Sequence, residues 1–473
     1  MSQIVTIDPV TRLEGHGKIT IQLDDQGKVA YAHFHVTQVR GFERFSEGRP
    51  FYEMPALMAR ICGICPVSHL IASAKACEAI MSVQIPHTAA QLRRMLNLAQ
   101  MVQSHALSFF YLSAPDLLLG MESDPKMRNL FGVVAAKPEL GRAGVALRRF
   151  GQHIIELLGD KRIHPGWVVP GGVTEPLSAV KRDEILASLP EAYQNIKLAL
   201  TWYKQIADSF KAEAEVYANF PTHFLGLINE DESVEFTDGA LRLIDSTGKI
   251  VEDGITATRF TEVIGEAVEP YSYTKFAYYK PLGYPDGSYR VGPLARLNIA
   301  KSMGTPLANK ELIEFKQLAS GPVQSSFYYH YARLVDILYG IEKIEAILTD
   351  PAILDTHVRA QAGVNRLEGA GQAEAPRGTL HHHYKVDDDG KIVWANLVIA
   401  TGQNNDAMNR GVAQAATHYV KNGKFSDGVL NRIEAVIRTF DPCLSCSTHA
   451  AGQMPLALTL VNHDGEVVDT LVR

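Results

Sequence analysis

Cys62 and Cys65 stand in "ARICGICPVSH" and Cys443 and Cys446 in "DPCLSCSTH", 381 positions apart (443 minus 62). If the two pairs form one site, nearly the whole chain must fold before its four thiols can meet. A zinc ribbon or finger also uses paired CxxC motifs, but its pairs usually lie ~12–20 residues apart because zinc organises a small local unit. A thioredoxin-like site needs only one CxxC and leaves the other pair unexplained. A third reading is a four-thiolate site for a softer, redox-active metal, since thiolates suit nickel and iron. Arg60 and His69 flank the first pair as RxCGxCxxxH, and Asp441 and His449 flank the second as DPCxxCxxH.

The rest of the composition permits such a body. The chain is 46% hydrophobic and 21% charged, enough to bury a large core. Its 46 Lys plus Arg against 52 Asp plus Glu leave a net charge of −6, which calls for neither nucleic acid nor an acidic membrane surface. "MSQIVTIDPV" lacks the basic and apolar regions of a signal peptide, and no run of about 18 apolar residues suggests a transmembrane span. A cytoplasmic protein is expected. Five cysteines in 473 residues are not a disulfide framework.

Periodicity gives an α+β, mainly α organisation. "IVTID", "KITIQL" and "VAYAHFHV" alternate as strands, with "DDQG" as a turn, so residues 1–50 are strand-rich. From about Met54 apolar residues recur every three or four positions, as in "HTAAQLRRMLNLAQMVQSHALSFFYL" and "RDEILASLPEAYQNIKLALTWYKQIADSFKAEAEVY". These predict long helices bundled around one large core. A strand-like insert is expected over about 229–296, and "RGTLHHHYKVDDDGKIVWANLVIA" predicts a hairpin turning at "DDDG". The helix "DGVLNRIEAVIRTF" leads into the second cysteine pair. A single body over 1–449 with small peripheral antiparallel sheets follows.

The motifs "DPVTRLEGHGK", "RGFE", "RICGICPVSH", "APRGTLHHHY", "TGQNN" and "DPCLSCSTH", in this order, resemble those of the large subunit of nickel–iron hydrogenases. "RGFERFSEGRP" and "LSFFYLSAPDLLLG" look closest to the bidirectional NAD-linked class. The related respiratory complex I subunit lacks the cysteines that are present here. The resemblance implies reversible heterolytic cleavage of H2 at a nickel–iron centre whose iron carries CO and CN ligands. Cys62, Cys65, Cys443 and Cys446 would bind nickel, with Cys65 and Cys446 bridging to iron. His69 would donate a hydrogen bond to a bridging sulfur, Glu14 would relay protons, and Arg377 would hang over the metals. Asp116 and Asp441 would pair with that arginine, and Pro376 would shape the pocket above the iron. Glu43, His449 and a carbonyl near Asn405 would hold a structural Mg2+.

On their own, several of these residues have plainer readings: Glu14 as a surface carboxylate and Arg377 as a turn-exposed ion-pair partner. In "HHH" at 381–383 a strand would put His381 and His383 on one face and His382 on the other, with packing or interface roles. Cys77 reads as a buried inert thiol, and His16 and His105 as ordinary core histidines, the alternative being a place near the proton path. With four cysteines committed, only Cys77 remains, so no iron–sulfur cluster fits in this chain. The resemblance therefore implies a small subunit carrying the clusters, and diaphorase subunits carrying FMN and NAD. It also implies nickel-insertion proteins and an endopeptidase that removes residues 450–473 after His449, a segment that reads as a hairpin holding the terminus open while metals load. The competing hypothesis is a non-catalytic metal-binding scaffold or electron-transfer subunit with the same fold.

Overall fold

A computed structural model of the chain describes residues 3–421, 423–450, 457–463 and 466–472. The alternating segments at the start form the expected sheet. β1 (Gln3–Ile7), β2 (Gly17–Leu23) and β3 (Val29–Val36) pair antiparallel in that order. Ile19, Ile21 and Leu23 face the core. The "DDQG" turn is held by Asp24, whose carboxylate accepts the N–H groups of Gln26 and Lys28.

The long periodic segments are helices: α1 (Pro66–Met81), α2 (His87–Ala106), α3 (Pro138–Gly159), α4 (Ala179–Ile206) and, later, α5 (Tyr329–Thr349). Helix α2 packs against α3 and α5, and α4 closes the group against the same two. One contiguous apolar core runs through them. Residues 329–342 of α5 are buried on every face, as expected of a central helix. Its buried carboxylates, Asp336 and Glu342, are both partnered. Asp336 meets Arg296 at 2.6 Å, Arg296 also holds Glu374 at 2.5 Å, and Glu342 accepts the N–H groups of Leu307 and Ala308. Helix α2 runs on into a π-helical stretch, Leu107–Ser113, directly after Ala106, and such stretches recur at functional sites.

The strand-like insert begins earlier than periodicity suggests. β4 (His223–Ile228), β5 (Ala240–Ile244), β6 (Ile250–Ile255) and β7 (Tyr289–Arg290) form a sheet of order β7-β4-β5-β6, with β7 parallel to β4. "HFLGLI" is buried on both faces after His223, so it does not alternate and hides its strand character.

Three further strands build the floor of the site. β8 (Glu368–Ala375), β9 (Gly378–Val386) and β10 (Ile392–Val398) are antiparallel, and the "DDDG" hairpin lies where it was expected. β8 was not legible: "EGAGQAEA" is poor in strand formers. Its glycines serve a close approach, because a Cβ on Gly369 or Gly371 would come within 2.2 Å of the Ala76 or Ala72 carbonyl oxygen of α1. Helix α1 therefore lies directly on β8.

Helices α6 (Asn405–Tyr419) and α7 (Asp427–Phe440) complete the body, and α7 delivers the chain to Cys443. β11 (Ala457–Val461) and β12 (Val467–Val472) form the antiparallel hairpin expected of the tail. Asp464 and Gly465 of its "HDG" turn, and residues 451–456, lie outside the described residues. No described helix is long and apolar enough to cross a membrane.

Candidate metal centre

Both cysteine pairs sit at abrupt changes of backbone direction. Cys62 is extended after a short 3-10 turn, and Cys65 caps α1, whose first residue Pro66 is well suited to a helix start. The N–H groups of Ile64 and Cys65 both point at Cys62 Sγ, at 3.2 Å. At the other end Asp441 takes a left-handed conformation (φ 53°, ψ 54°) that ends α7 and turns the chain inward. The Cys443 N–H is then held by Thr401 Oγ1 at 3.0 Å.

The N-terminal segment locks onto this second pair. Glu14 and Cys443 form a parallel bridge, and the Leu444 N–H donates to the Glu14 carbonyl at 3.0 Å. Gly15, at φ +95°, makes that approach possible: a Cβ there would lie 2.6 Å from Leu444 Cβ. The glycine of "LEGH" is thus explained by packing.

The four sulfurs converge. Cys62 and Cys443 lie 3.4 Å apart, Cys65 and Cys446 3.5 Å, and Cys443 and Cys446 2.9 Å, all buried. All four lie within 4.8 Å of one another, the one such group of three or more potential ligands among the described residues. Four soft donors in one buried cluster fit nickel and iron as a donor set.

Arg377 supplies the local positive charge. It occupies, with Pro376, the two-residue turn between β8 and β9. Its Nε donates to the Asp441 carbonyl at 2.7 Å, Nη2 to Asp441 Oδ1 at 3.0 Å and Nη1 to Ser104 Oγ at 3.0 Å. Burial opposes its charge, but Asp441 and then the sulfurs of Cys443, Cys65 and Cys62 outweigh it and hold the guanidinium protonated. Burial likewise pushes Cys443 and Cys446 up. At Cys62 burial is outweighed by hydrogen bonds from the other three thiols and by Arg377, so this sulfur ionises most readily.

Glu14 is half-buried, with Oε2 3.0 Å from Cys443 Sγ and 3.0 Å from the Ser445 N–H. Beyond it, Gln38 donates to Ser445 Oγ and contacts exposed His16 at 2.8 Å. His16 therefore stands near Glu14, linked through Gln38 and Ser445. His105 does not: it sits in the core 3.3 Å from Asp336, where burial lowers its pKa to about 4.

Other expected contacts are not made. Asp116 does not pair with Arg377; it is claimed by Arg12 at 2.6 Å and Arg438 at 3.1 Å, two cations that outweigh its burial and hold its pKa down. His69 places Nδ1 3.2 Å from His382 Nε2 and makes no hydrogen bond to a cysteine sulfur. Burial lowers its pKa to about 4, although Cys62 pulls it upward. Arg60 is exposed and bonds Ala56.

Glu43 does meet His449, at 2.9 Å. Burial raises the Glu43 pKa, but His449, Lys275 and the Leu397 N–H outweigh it. The Asn405 carbonyl accepts Asn409 Nδ2 at 3.1 Å within α6, and the backbone group hydrogen-bonded to Glu43 is the Leu397 N–H, at 2.7 Å. Leu397 carries no signal in sequence because the contact is main-chain. Cys77 is buried and donates to the Phe51 carbonyl, with burial raising its pKa, as expected of an inert thiol.

The fold and site define a redox metalloprotein built around a buried four-thiolate centre. A family model described as nickel-dependent hydrogenase matches residues 40–124 and 203–449, and a HoxL-like model matches 4–39. The chain belongs to the nickel-dependent hydrogenase family, as a large subunit. The NAD-reducing hydrogenase HoxS subunit beta of Cupriavidus necator is 40% identical over 100% of both chains. The vhc F420-non-reducing hydrogenase polypeptide of Methanococcus voltae is 41% identical over 99% of each. The crystal structure of an NAD+-reducing NiFe-hydrogenase in its H2-reduced state superposes with a TM-score of 0.92 at 43% identity, covering 94% of this chain and 99% of that one.

Proposed function

We propose that this chain is the H2-converting subunit of a cytoplasmic complex that passes electrons to NAD(P), catalysing H2 ⇌ 2H⁺ + 2e⁻. The observation that carries the reading is the meeting of the two cysteine pairs beside Glu14 and Arg377. When bound, a nickel–iron centre bearing CO and CN ligands supplies the redox chemistry of H2 splitting. Cys62, Cys65, Cys443 and Cys446 would hold it, with Pro376 and Arg377 of the β8–β9 turn shaping the pocket around it. Arg377 keeps a fixed positive charge over the site, held by Asp441 and Ser104. Glu14 accepts the proton released at Cys443 and carries it toward His16. A scaffold would have no use for a half-buried carboxylate on a cysteine sulfur, so that alternative is not favoured.

The electrons leave through a partner small subunit with iron–sulfur clusters and then through a flavin-bearing diaphorase. The likeness to the C. necator protein and to the NAD+-reducing structure supports this acceptor. All five cysteines are free thiols, which suits a reducing compartment. Glu43 and His449 hold a Mg2+ with neighbouring backbone oxygen and water. An endopeptidase cuts after His449 once nickel-insertion proteins have acted; the family match ends at that residue. The described chain already has its four sulfurs together with the tail attached, so the tail is not what separates the two pairs in this conformation.

The test is purification of the complex from its native host, with nickel and iron content, intact mass and H2-dependent reduction of NAD+. One nickel, one iron and NADH formation support the reading. H2 uptake with an artificial dye but not with NAD(P) overturns the acceptor alone, and zinc without nickel overturns the whole.

A further inference from the structure

The turn that carries Pro376 and Arg377 is gripped by a second arginine. Arg296, at 0% exposure, lies in the short helix Pro293–Ile299. A guanidinium has five N–H donors, and here it makes five contacts. Nε and Nη2 donate to Asp336 Oδ2 of α5, at 3.2 and 2.6 Å, and Nη1 donates to Glu374 Oε2 of β8 at 2.5 Å. The other two contacts reach main-chain oxygens: Nη1 donates to the Ala375 carbonyl at 3.3 Å and Nη2 to the Pro376 carbonyl at 3.4 Å. Burial opposes the charge of Arg296, but Asp336 and Glu374 outweigh it and keep the guanidinium protonated.

The rest of the turn is tied as closely. The Glu374 carboxylate accepts the Thr379 hydroxyl across the hairpin at 2.7 Å and the Leu227 N–H at 3.2 Å. Asn404 Nδ2 donates to the Arg377 carbonyl at 3.4 Å. Gly292, at φ +95°, passes so close that a Cβ there would lie 2.6 Å from the same oxygen. Residues 375, 376 and 377 therefore each have their carbonyl met by a donor from outside the hairpin. From this root the Arg377 side chain reaches Asp441 and Ser104 at 2.7 to 3.0 Å. If the root moves, the guanidinium must leave one of those contacts. An ion triad serving only the core could be satisfied by side chains, and a buried ion pair is in any case a weak source of stability. Arg296 instead aims two donors at the backbone that presents Arg377.

We propose that Arg296, anchored by Asp336 and Glu374, is a positioning residue that fixes the Pro376–Arg377 turn and so sets where the Arg377 guanidinium stands beside the four cysteines. The proposal rests on the reading that those cysteines hold the nickel–iron centre and that Arg377 serves it. Lysine cannot take this place, because a compact ammonium does not span two carboxylates and two carbonyls at once. A misplacement of about 1 Å at a reacting centre, caused from outside it, can cost about 10²-fold in rate.

The test is a double-mutant cycle in the assembled holoenzyme: Arg296→Lys, Arg377→Lys and the two together. Each is measured for nickel and iron content, H2 turnover and the infrared stretching bands of the CO and CN ligands, which respond to charge near the iron. Arg296→Lys is expected to keep both metals, lower turnover about 10²-fold and shift the bands in the same direction as Arg377→Lys. The double variant is expected to match Arg377→Lys within about threefold, because a guanidinium already removed cannot be misplaced. Losses that multiply in the double variant overturn the proposal and leave Arg296 a structural ion. So does Arg296→Lys with wild-type turnover or wild-type bands. Wild-type turnover and bands in Arg377→Lys also overturn it, since nothing would then depend on where that guanidinium stands. If Arg296→Lys fails to load metal, Asp336→Asn, which keeps Arg296 and an oxygen acceptor for Nη2, goes through the same cycle and decides the matter. A wild type without nickel or without the bands overturns the functional reading itself, which keeps the two failures distinct.

Discussion

Cys443 Sγ lies 3.0 Å from Glu14 Oε2, and the Ser445 N–H holds that same oxygen at 3.0 Å. A buried thiol thus has a half-buried carboxylate within hydrogen-bond reach, fixed in place by the backbone that follows it. Glutamine in place of Glu14 keeps the shape and the contact to Ser445 but cannot take a proton. Glu14→Gln is expected to lower H2 turnover by about 10²- to 10⁴-fold while nickel and iron content stay at the wild-type level. Metal analysis beside an H2-uptake assay checks this, and loss of nickel would show Glu14 to be structural instead.

Arg377 makes three directed contacts, two to Asp441 and one to Ser104. A lysine ammonium is a point charge and cannot span the Asp441 carbonyl, the Asp441 carboxylate and Ser104 at once. Arg377→Lys is therefore expected to keep the charge and the metals but lose about 10²- to 10³-fold in turnover, the scale of removing one preorganised electrostatic contact. Turnover within threefold of wild type would show that charge alone suffices.

Acid stability follows from three histidines away from the cysteines. Burial holds His330 and His381 at about 3 and His105 at about 4, below the ordinary 6.5. In that window the unfolded chain takes up protons that the folded chain refuses. Their contribution is therefore complete above pH 6.5 and is lost as pH falls, by about 2 kcal/mol for each group at pH 5. The urea midpoint should drop between pH 7 and pH 5, and His381→Gln, which cannot ionise, should make the drop shallower. An identical pH profile for His381→Gln would mean that this ring does not contribute.

What sequence revealed, and what it hid, divides along physical lines. The two cysteine pairs were legible from their spacing, whereas Glu14, Arg377, Asp441, Glu43 and His449 stood out only because the compact motifs that hold them resemble those of a known family. Helices such as α5 and α7 were legible from periodicity, and the "DDDG" hairpin from turn chemistry. Asp116 was placed on the wrong cation because its choice among Arg12, Arg438 and Arg377 depends on packing between segments more than 100 residues apart. The partner of Glu43 in β10 is a main-chain group, which no side-chain pattern announces. Strand β8 was hidden because its composition answers to the helix lying on it rather than to strand propensity.

The tail offers the last prediction. His449 and Ala450 are both buried, at 3% and 7% exposure, and the His449 carbonyl accepts the Glu43 N–H at 3.0 Å. The bond between them is closed to a protease in this conformation, so cleavage requires His449 to lift from Glu43. Cleavage there would leave the His449 imidazole and a new carboxylate on the Glu43 side and release residues 450–473 with the hairpin β11–β12. The nickel-loaded enzyme is therefore expected to have an intact mass that ends at His449. Ala450→Pro, which stiffens the bond to be cut, is expected to leave full-length chain in the cell. A full-length chain in nickel-loaded, H2-active enzyme would show instead that the hairpin is a permanent part of the fold.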